Sequence, residues 1–504
     1  MRRYPYARNP YPPHKRYKRY TPLKYPQDMI PIIEDGLPNA NNPKNVIIIG
    51  AGMAGLVSGY LLKKAGHKVT ILEGNDRIGG RVYTLREPFS PENYLDMGAM
   101  RIPENHYLVN ELIKKFDLPT NSFINTTDQD IIYANGVKTT RAEYNKNPDI
   151  LKYPVEPHEK GKTASQLLMS AVQPFLTLYN NSSPEQRKIL LQQFDRYSIE
   201  NYLRFNPIGP SLSPEALRMV KVMLGIEGFA ELSFINILFD VVNTVFNEDL
   251  KFNEITGGND QLPKSFYKDL KPNIHFNEKV NKITTSKDSV SVQARNTKSG
   301  KLTTYTGDIL IVTIPFSVFQ FIEVTPFETF SFEKWKAIRE LHYVAAVKIG
   351  IEFNKKFWEE EGLAGANVLT DFPNRFTYTP SPDTEKQTGV VLASYSWGDN
   401  AKLWNALTED ERIRQALQDL AKIHGDQVYD EFLNGASFSW SQNPFSAGCF
   451  TLFKPNQAAT FPAYIRRPEG RIHFAGEHAS DFQGWIEGAV QSGVRAAHEV
   501  NARP

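Results

Sequence analysis

Val46–Ile49 is a run of four consecutive β-branched residues, the pattern a parallel sheet buries on both faces. Apolar positions then recur with a helical period over Met53–Lys64, with Gly66 as the stop, and Lys68–Leu72 reads as a second strand. A βαβ unit is predicted. From Thr163 to Thr256 the periodicity is mainly helical, punctuated by Pro184, Pro207, Pro210 and Pro214. Strand-like runs return at Ile274–His275, Val290–Ala294, Ile309–Thr313, Lys348–Phe353 and Val390–Tyr395. Arg471–Phe474 reads as a last strand and Gly488–Asn501 as a closing helix.

At roughly 150 residues per domain, a chain of 504 predicts about three domains. The expected division is discontinuous: an arm and linker over 1–43; a nucleotide-binding part over 44–83, 258–340 and 436–504; a substrate-binding part over 84–145 and 341–435; and a helical part over 146–257.

Composition changes the picture only in three places. The net charge of +2 hides a Tyr/Pro-rich arm: residues 1–27 carry eight basic side chains (Arg2, Arg3, Arg8, Lys15, Arg16, Lys18, Arg19, Lys24) and no acidic one. The rest of the chain is therefore mildly acidic. An extended segment lying on the protein surface is expected of the arm, ahead of nucleic-acid binding. One cysteine, Cys449, excludes an internal disulfide and a Cys-based zinc module, and no metal is expected. Apolar runs fall short of the about 18 residues a membrane span needs, and no apolar segment follows Arg2-Arg3 as in a signal peptide. A soluble, cytoplasmic protein is expected, with secretion left open.

The first βα turn carries the candidate chemistry. Gly50-Ala51-Gly52-Met53-Ala54-Gly55 joins the strand to the helix. Glycines there allow a tight turn, close approach to a diphosphate and close helix–strand packing, and the helix N-terminus offers free N–H groups. Glu73 follows at the end of the second strand, where a carboxylate can bind ribose hydroxyls and disfavours a 2′-phosphate.

The continuation, Glu73-Gly74-Asn75-Asp76-Arg77-Ile78-Gly79-Gly80-Arg81, resembles the extended fingerprint of flavin-containing amine oxidases. Arg471-Ile472-His473-Phe474-Ala475-Gly476-Glu477-His478 and Gly484-Trp485-Ile486-Glu487-Gly488-Ala489 resemble that family's C-terminal block. The resemblance implies FAD and a glutathione reductase-like fold. That fold is α/β plus α+β: a Rossmann-like FAD-binding domain, a mixed-sheet substrate domain and a helical insertion. Gly74, Gly80, Arg81, Gly476, Glu477, Ile486 and Glu487 fall on its cofactor-contacting positions, as does Val280 (beside adenine) and Trp440 (near the flavin ring).

Gly98-Ala99-Met100-Arg101-Ile102-Pro103 resembles the motif of L-amino acid oxidases and aromatic amino-acid monooxygenases in which the arginine holds the substrate carboxylate beside the flavin. An arginine among apolar neighbours needs an anionic partner, and its fork suits a carboxylate. A structural ion pair is the alternative. Similarity to L-amino acid oxidases, the snake-venom enzymes included, runs from about Asn42 to Ala502. It implies Tyr378 as a second carboxylate donor, Gly484 and Trp485 at the substrate amine, and Lys348 reaching flavin N5 through water. For Lys348, strand alternation also allows a solvated face.

Two positions depart from the family pattern. Where the venom enzymes place a histidine in the helical part, Asp240 stands here, and no histidine occurs between His158 and His275. Asp240 is either a substitute base or a solvated carboxylate on a helix face. Ser446-Ala447-Gly448-Cys449-Phe450-Thr451 resembles the stretch of monoamine oxidases that carries a covalent flavin. Non-covalent FAD is expected, with a link through Cys449 as the alternative.

The resemblance implies oxidative deamination of L-α-amino acids, large apolar or aromatic ones first. Hydride passes from Cα to flavin N5, and O2 is the oxidant. A homodimer is expected, and neither a membrane nor a nucleic-acid partner. The rivals are an amino-acid 2-monooxygenase that yields an amide, an oxidase of amines without a carboxylate, and a catalytically silent FAD-binding protein.

Overall fold

The computed structural model describes residues 21–242, 250–380 and 387–504. Arg2 to Arg19 of the basic arm lie outside the described residues. A five-stranded parallel sheet, ordered Ile274–His275, Lys68–Leu72, Asn45–Ile49, Ile309–Val312 and Ile472–Phe474, frames the nucleotide-binding end. Its central strand is buried from Val46 to Ile49. Val46 and Ile48 join the core formed with the helices Met53–Lys64 and Ile486–Asn501. Ile47 and Ile49 face the other way, onto the core of an adjoining four-stranded sheet. Burial on both faces is why this strand carries no polar alternation.

A seven-stranded mixed sheet forms a second layer. Its order is Phe432–Ser439, Ala346–Phe353, Gly389–Trp397, Phe376–Tyr378, Asn367–Thr370, Ile131–Ala134 and Val137–Thr140. The only parallel pair in it joins Asn367–Thr370 to Ile131–Ala134. The helical stretch begins at Ala164–Asn180, where Thr163 and Gln166 form a capping box, and a second capping box starts Pro184–Phe194. Its last described turn, Ile237–Val242, is a π-helix.

Two expectations are corrected here. Helical periodicity does not extend to Thr256: Phe252–Ile255 is a strand between Ile102–Pro103 and Thr120–Phe123. Phe252 and Ile255 are buried in that sheet, so tertiary pairing overrides the periodicity. Nor is the stretch before Asn45 all linker. Ile30–Asp35 is a helix, and Met29 and Ile33, four residues apart on one face, are buried in the core shared with Tyr107–Lys115. Among the described residues, no helix is long and apolar enough to cross a membrane, and no group of three or more His, Cys, Asp or Glu side chains is placed to hold a metal ion.

Candidate active site

A cavity of about 640 Å³ runs from the carboxyl edge of the parallel sheet to the seven-stranded sheet and the π-turn. Its far end is built on the first βα turn. A Cβ on Gly55 would come within 2.0 Å of the Gly50 carbonyl oxygen, so only glycine lets the helix start this close to the strand. The helix start is thereby exposed to the cavity, where Gly52, Met53 and Ala54 form the wall. Glu73 accepts from the backbone N–H groups of Ala51 (2.7 Å) and Asn75 (2.8 Å), which fixes its carboxylate at the cavity edge.

Further along, Arg81 donates through Nη1 to Glu477 Oε1 (2.7 Å) and to the Cys449 carbonyl (2.9 Å). Glu477 also accepts from the Thr451 hydroxyl (2.8 Å) and the Gly484 N–H (3.0 Å). This joint ties the N-terminal fingerprint to the C-terminal block. Cys449 lines the cavity beside it, and burial pushes its thiol up to about 12. The Trp440 indole N–H donates to the Met97 carbonyl (2.8 Å) and its ring faces the same space.

The other end is aromatic. Phe229, Tyr395, Trp397 and Phe450 wall it together with Gly484 and Trp485, and Gly484 lies against the Phe450 ring. Arg101 enters here and is only 7% exposed. The rings of Phe123, Phe252 and Tyr378 lie 6.0, 5.5 and 6.0 Å from its Cζ. Among the described residues, no carboxylate lies within ion-pair distance of it; its hydrogen-bond partner is the amide of Asn125. A smaller cavity of about 90 Å³ continues past Arg101 and Trp397 and is lined by Asn125, Asp130, Arg141 and Tyr378. Asp240 faces the main cavity from the π-turn. Burial, then the charge of Asp481, raises its carboxyl to about 8. Asn236 donates through Nδ2 both to Asp240 and to Gln483 Oε1 (3.1 Å), linking Asp240 to the Gly484 side.

Most of the expected site residues share this cavity: Gly50, Gly52, Met53, Ala54, Glu73, Gly74, Gly80, Arg81, Gly98, Ala99, Met100, Arg101, Asp240, Val280, Trp440, Cys449, Gly476, Glu477, Gly484, Trp485 and Ile486. Gly55 lies just behind the wall, as its packing role requires. Three others are elsewhere. Tyr378 lines the small cavity on the far side of Arg101. Glu487 turns away from its neighbour Ile486 and accepts from Leu108 N (2.9 Å), Val109 N (2.9 Å) and the Tyr25 hydroxyl (2.7 Å). Adjacent helical residues are about 100° apart, and here that step carries Glu487 onto the start of the helix Tyr107–Lys115. Lys348 is buried, not solvated: its Nζ donates to the carbonyls of Asp96 and Gly98, both at 2.8 Å, beneath the Gly98–Arg101 segment. Its strand is paired on both edges and covered on both faces, and burial holds its pKa below the usual lysine value.

The solvated-face alternative for Asp240 also fails, because the π-turn rotates its side chain off the face a 3.6-residue period assigns. The sequence reading missed Asn125, Phe229, Asn236, Tyr395 and Trp397. Tyr395 and Trp397 stand two residues apart in one strand and so share a face, a signal open to sequence alone; which face meets the cavity is set by the sheet packing.

Comparison with known proteins agrees with this geometry. Residues 53–501 match the family model described as flavin containing amine oxidoreductase. YobN of Bacillus subtilis (strain 168) is 46% identical over 95% of this chain and 98% of its own length. The L-amino-acid oxidase of Siganus canaliculatus is 36% identical over 94% of this chain and 88% of its own. Among solved structures, cyclohexylamine oxidase from Brevibacterium oxydans IH-35A superposes with a TM-score of 0.74 at 21% identity, covering 91% of this chain and 99% of that one, a likeness of fold. With the fingerprint, the C-terminal block and the fold in agreement over nearly its whole length, the chain belongs to the flavin-containing amine oxidoreductase family.

Proposed function

We propose that the protein is an L-amino-acid oxidase, converting L-α-amino acids and O2 to 2-oxo acids, ammonia and hydrogen peroxide. The observation that carries this reading is Arg101, a buried guanidinium in the cavity wall that has no carboxylate within ion-pair distance among the described residues. A buried cation is costly unless paired, and a substrate carboxylate is the missing partner. An amine lacking that group leaves the cost unmet. Likeness to the Siganus canaliculatus L-amino-acid oxidase supports the same activity.

FAD fits the remainder of the cavity. Gly50, Gly52, Met53 and Ala54 offer the helix start to its diphosphate, Glu73 its carboxylate to the ribose, and Val280 a backbone edge to adenine. Gly80, Arg81, Glu477, Gly476 and Trp440 border the part nearer the substrate end. When bound, the flavin supplies the hydride acceptor for the substrate Cα–H and the route of its electrons to O2.

The chain's own residues prepare the substrate. Arg101 clamps the carboxylate, and the ring of Tyr378, on its far side, packs near the guanidinium. Phe229, Tyr395, Trp397 and Phe450 exclude water and receive a large apolar or aromatic side chain. Gly484 and Trp485 border the amine. Asp240, joined to that border through Asn236 and Gln483, takes the proton an α-ammonium group must lose before its Cα–H can leave as hydride. Lys348 acts as a positioning residue, holding Gly98–Arg101 in place.

The attachment is non-covalent in this reading, because burial keeps Cys449 a thiol and the thiolate is the nucleophilic form. Acid denaturation should leave the flavin in the supernatant; flavin that precipitates with the protein would show a covalent link instead. The activity itself is tested by anaerobic mixing with each of the twenty L-amino acids, followed by product analysis. Flavin bleaching with release of 2-oxo acid and ammonia is expected, and an amide product would indicate a monooxygenase. In Arg101→Ala, kcat/KM for amino acids should fall about 10³-fold, or about 4 kcal/mol, with flavin content unchanged. Unaltered kinetics in that variant refute the clamp.

A further inference from the structure

Arg101 is held by a neutral group, although a carboxylate is close at hand. Its Nη1 donates to Asn125 Oδ1. The backbone carbonyl of Asn125 in turn accepts from Asn367 Nδ2 (2.8 Å), and the Asn367 N–H donates to Asp130 (2.9 Å). Among the described residues, Asp130 is the one acidic side chain lining the small cavity that Arg101 and Asn125 share. It is 1% exposed and already engaged by Arg141 Nε (3.0 Å), by the hydroxyls of Thr126 and Thr127 (both 2.9 Å) and by the Thr127 N–H (3.1 Å). The protein therefore satisfies its own carboxylate with a second arginine and gives Arg101 an amide.

An amide oxygen fixes the direction of one of the five guanidinium N–H groups without cancelling the positive charge. A carboxylate in the same place would form a closed ion pair, and an incoming anion would have to compete with it. From this arrangement, and resting on the reading of Arg101 as carboxylate clamp, we infer that Asn125 is a positioning residue for substrate recognition. It aims Arg101 while leaving its charge uncompensated, and so sets the selectivity for carboxylate-bearing substrates.

The test uses the holoenzyme and benzoate, an aromatic carboxylate that lacks an amine, with its Kd read from the flavin absorbance. In Asn125→Asp, Kd for benzoate and KM for L-amino acids should each rise about tenfold or more, with kcat at saturation within about twofold. The preference for L-phenylalanine over 2-phenylethylamine should shrink by the same factor. Asn125→Ala frees the guanidinium and should weaken benzoate about threefold to tenfold, and Asn125→Gln should restore it. Should the Asp variant fail to hold flavin, the Ala and Gln pair decides by itself. Benzoate affinity that falls in Arg101→Ala yet stays unchanged in Asn125→Asp and Asn125→Ala overturns the inference and leaves the clamp standing. Affinity unchanged in Arg101→Ala removes the clamp, and the inference with it.

Discussion

Arg81 and Arg101 line the same cavity, and the protein treats them in opposite ways. Arg81 has its own carboxylate, Glu477, at 2.7 Å, and that carboxylate is further held by Thr451 and the Gly484 N–H. Arg101, more deeply buried, has an amide and three aromatic rings. The first arrangement is complete without a ligand and joins two distant parts of the chain. The second has no carboxylate within ion-pair distance among the described residues, which is the ground for reading it as the clamp for a substrate anion.

The largest effect is expected at the turn on which the Arg81 end of the cavity is built. Gly55→Ala drives a Cβ against the Gly50 carbonyl, a backbone atom that cannot swing aside, and should cost about 4 kcal/mol or more. Protein lacking flavin, seen in the visible flavin absorbance, is the expected outcome; a normal flavin complement would mean that the turn tolerates a side chain. Next, Arg81→Gln leaves Glu477 buried without its cation, at about 3 kcal/mol. Thermal unfolding and flavin occupancy should both fall, whereas Arg101→Ala spares both. If the two variants behave alike, the contrast between joint and clamp is wrong. The smallest effect concerns pH. With a carboxyl raised to about 8, Asp240 is a proton acceptor only above that value, so kcat/KM should climb with pH and bend near 8. Asp240→Asn should lose that bend, measurable in a profile from pH 6 to about 10. A profile with the bend intact assigns it to another group.

What could be read from the sequence divides along the same line. The cofactor end was legible because contiguous residues make it: Gly50 to Gly55 fix a turn by their own backbone, and Val46–Ile49 announces a strand covered on both faces. The substrate end is assembled by tertiary order. Asn125 reaches Arg101 only because Phe252–Ile255 pairs with both Ile102–Pro103 and Thr120–Phe123, a strand hidden inside a helical periodicity. Trp397 and Phe229 meet where the end of an inner strand packs on the helical stretch, at 5.6 Å between ring centres. Lys348 shows the limit of alternation, since a strand covered on both faces has no solvated side. Asp240 shows the limit of the helical period, which a single π-turn shifts out of phase.

Glu487 has a consequence for the order in which the molecule is made. Its carboxylate receives the Tyr25 hydroxyl and the first N–H groups of the helix Tyr107–Lys115, from stretches hundreds of residues earlier in the chain. Those donors emerge from the ribosome long before their acceptor, which becomes available only with the last helix. The segment that delivers Glu487 also delivers Gly484, Trp485 and the acceptor of Arg81. Fastening the N-terminal stretch and closing the cavity wall thus both depend on one C-terminal segment, so a chain truncated before residue 477 lacks both.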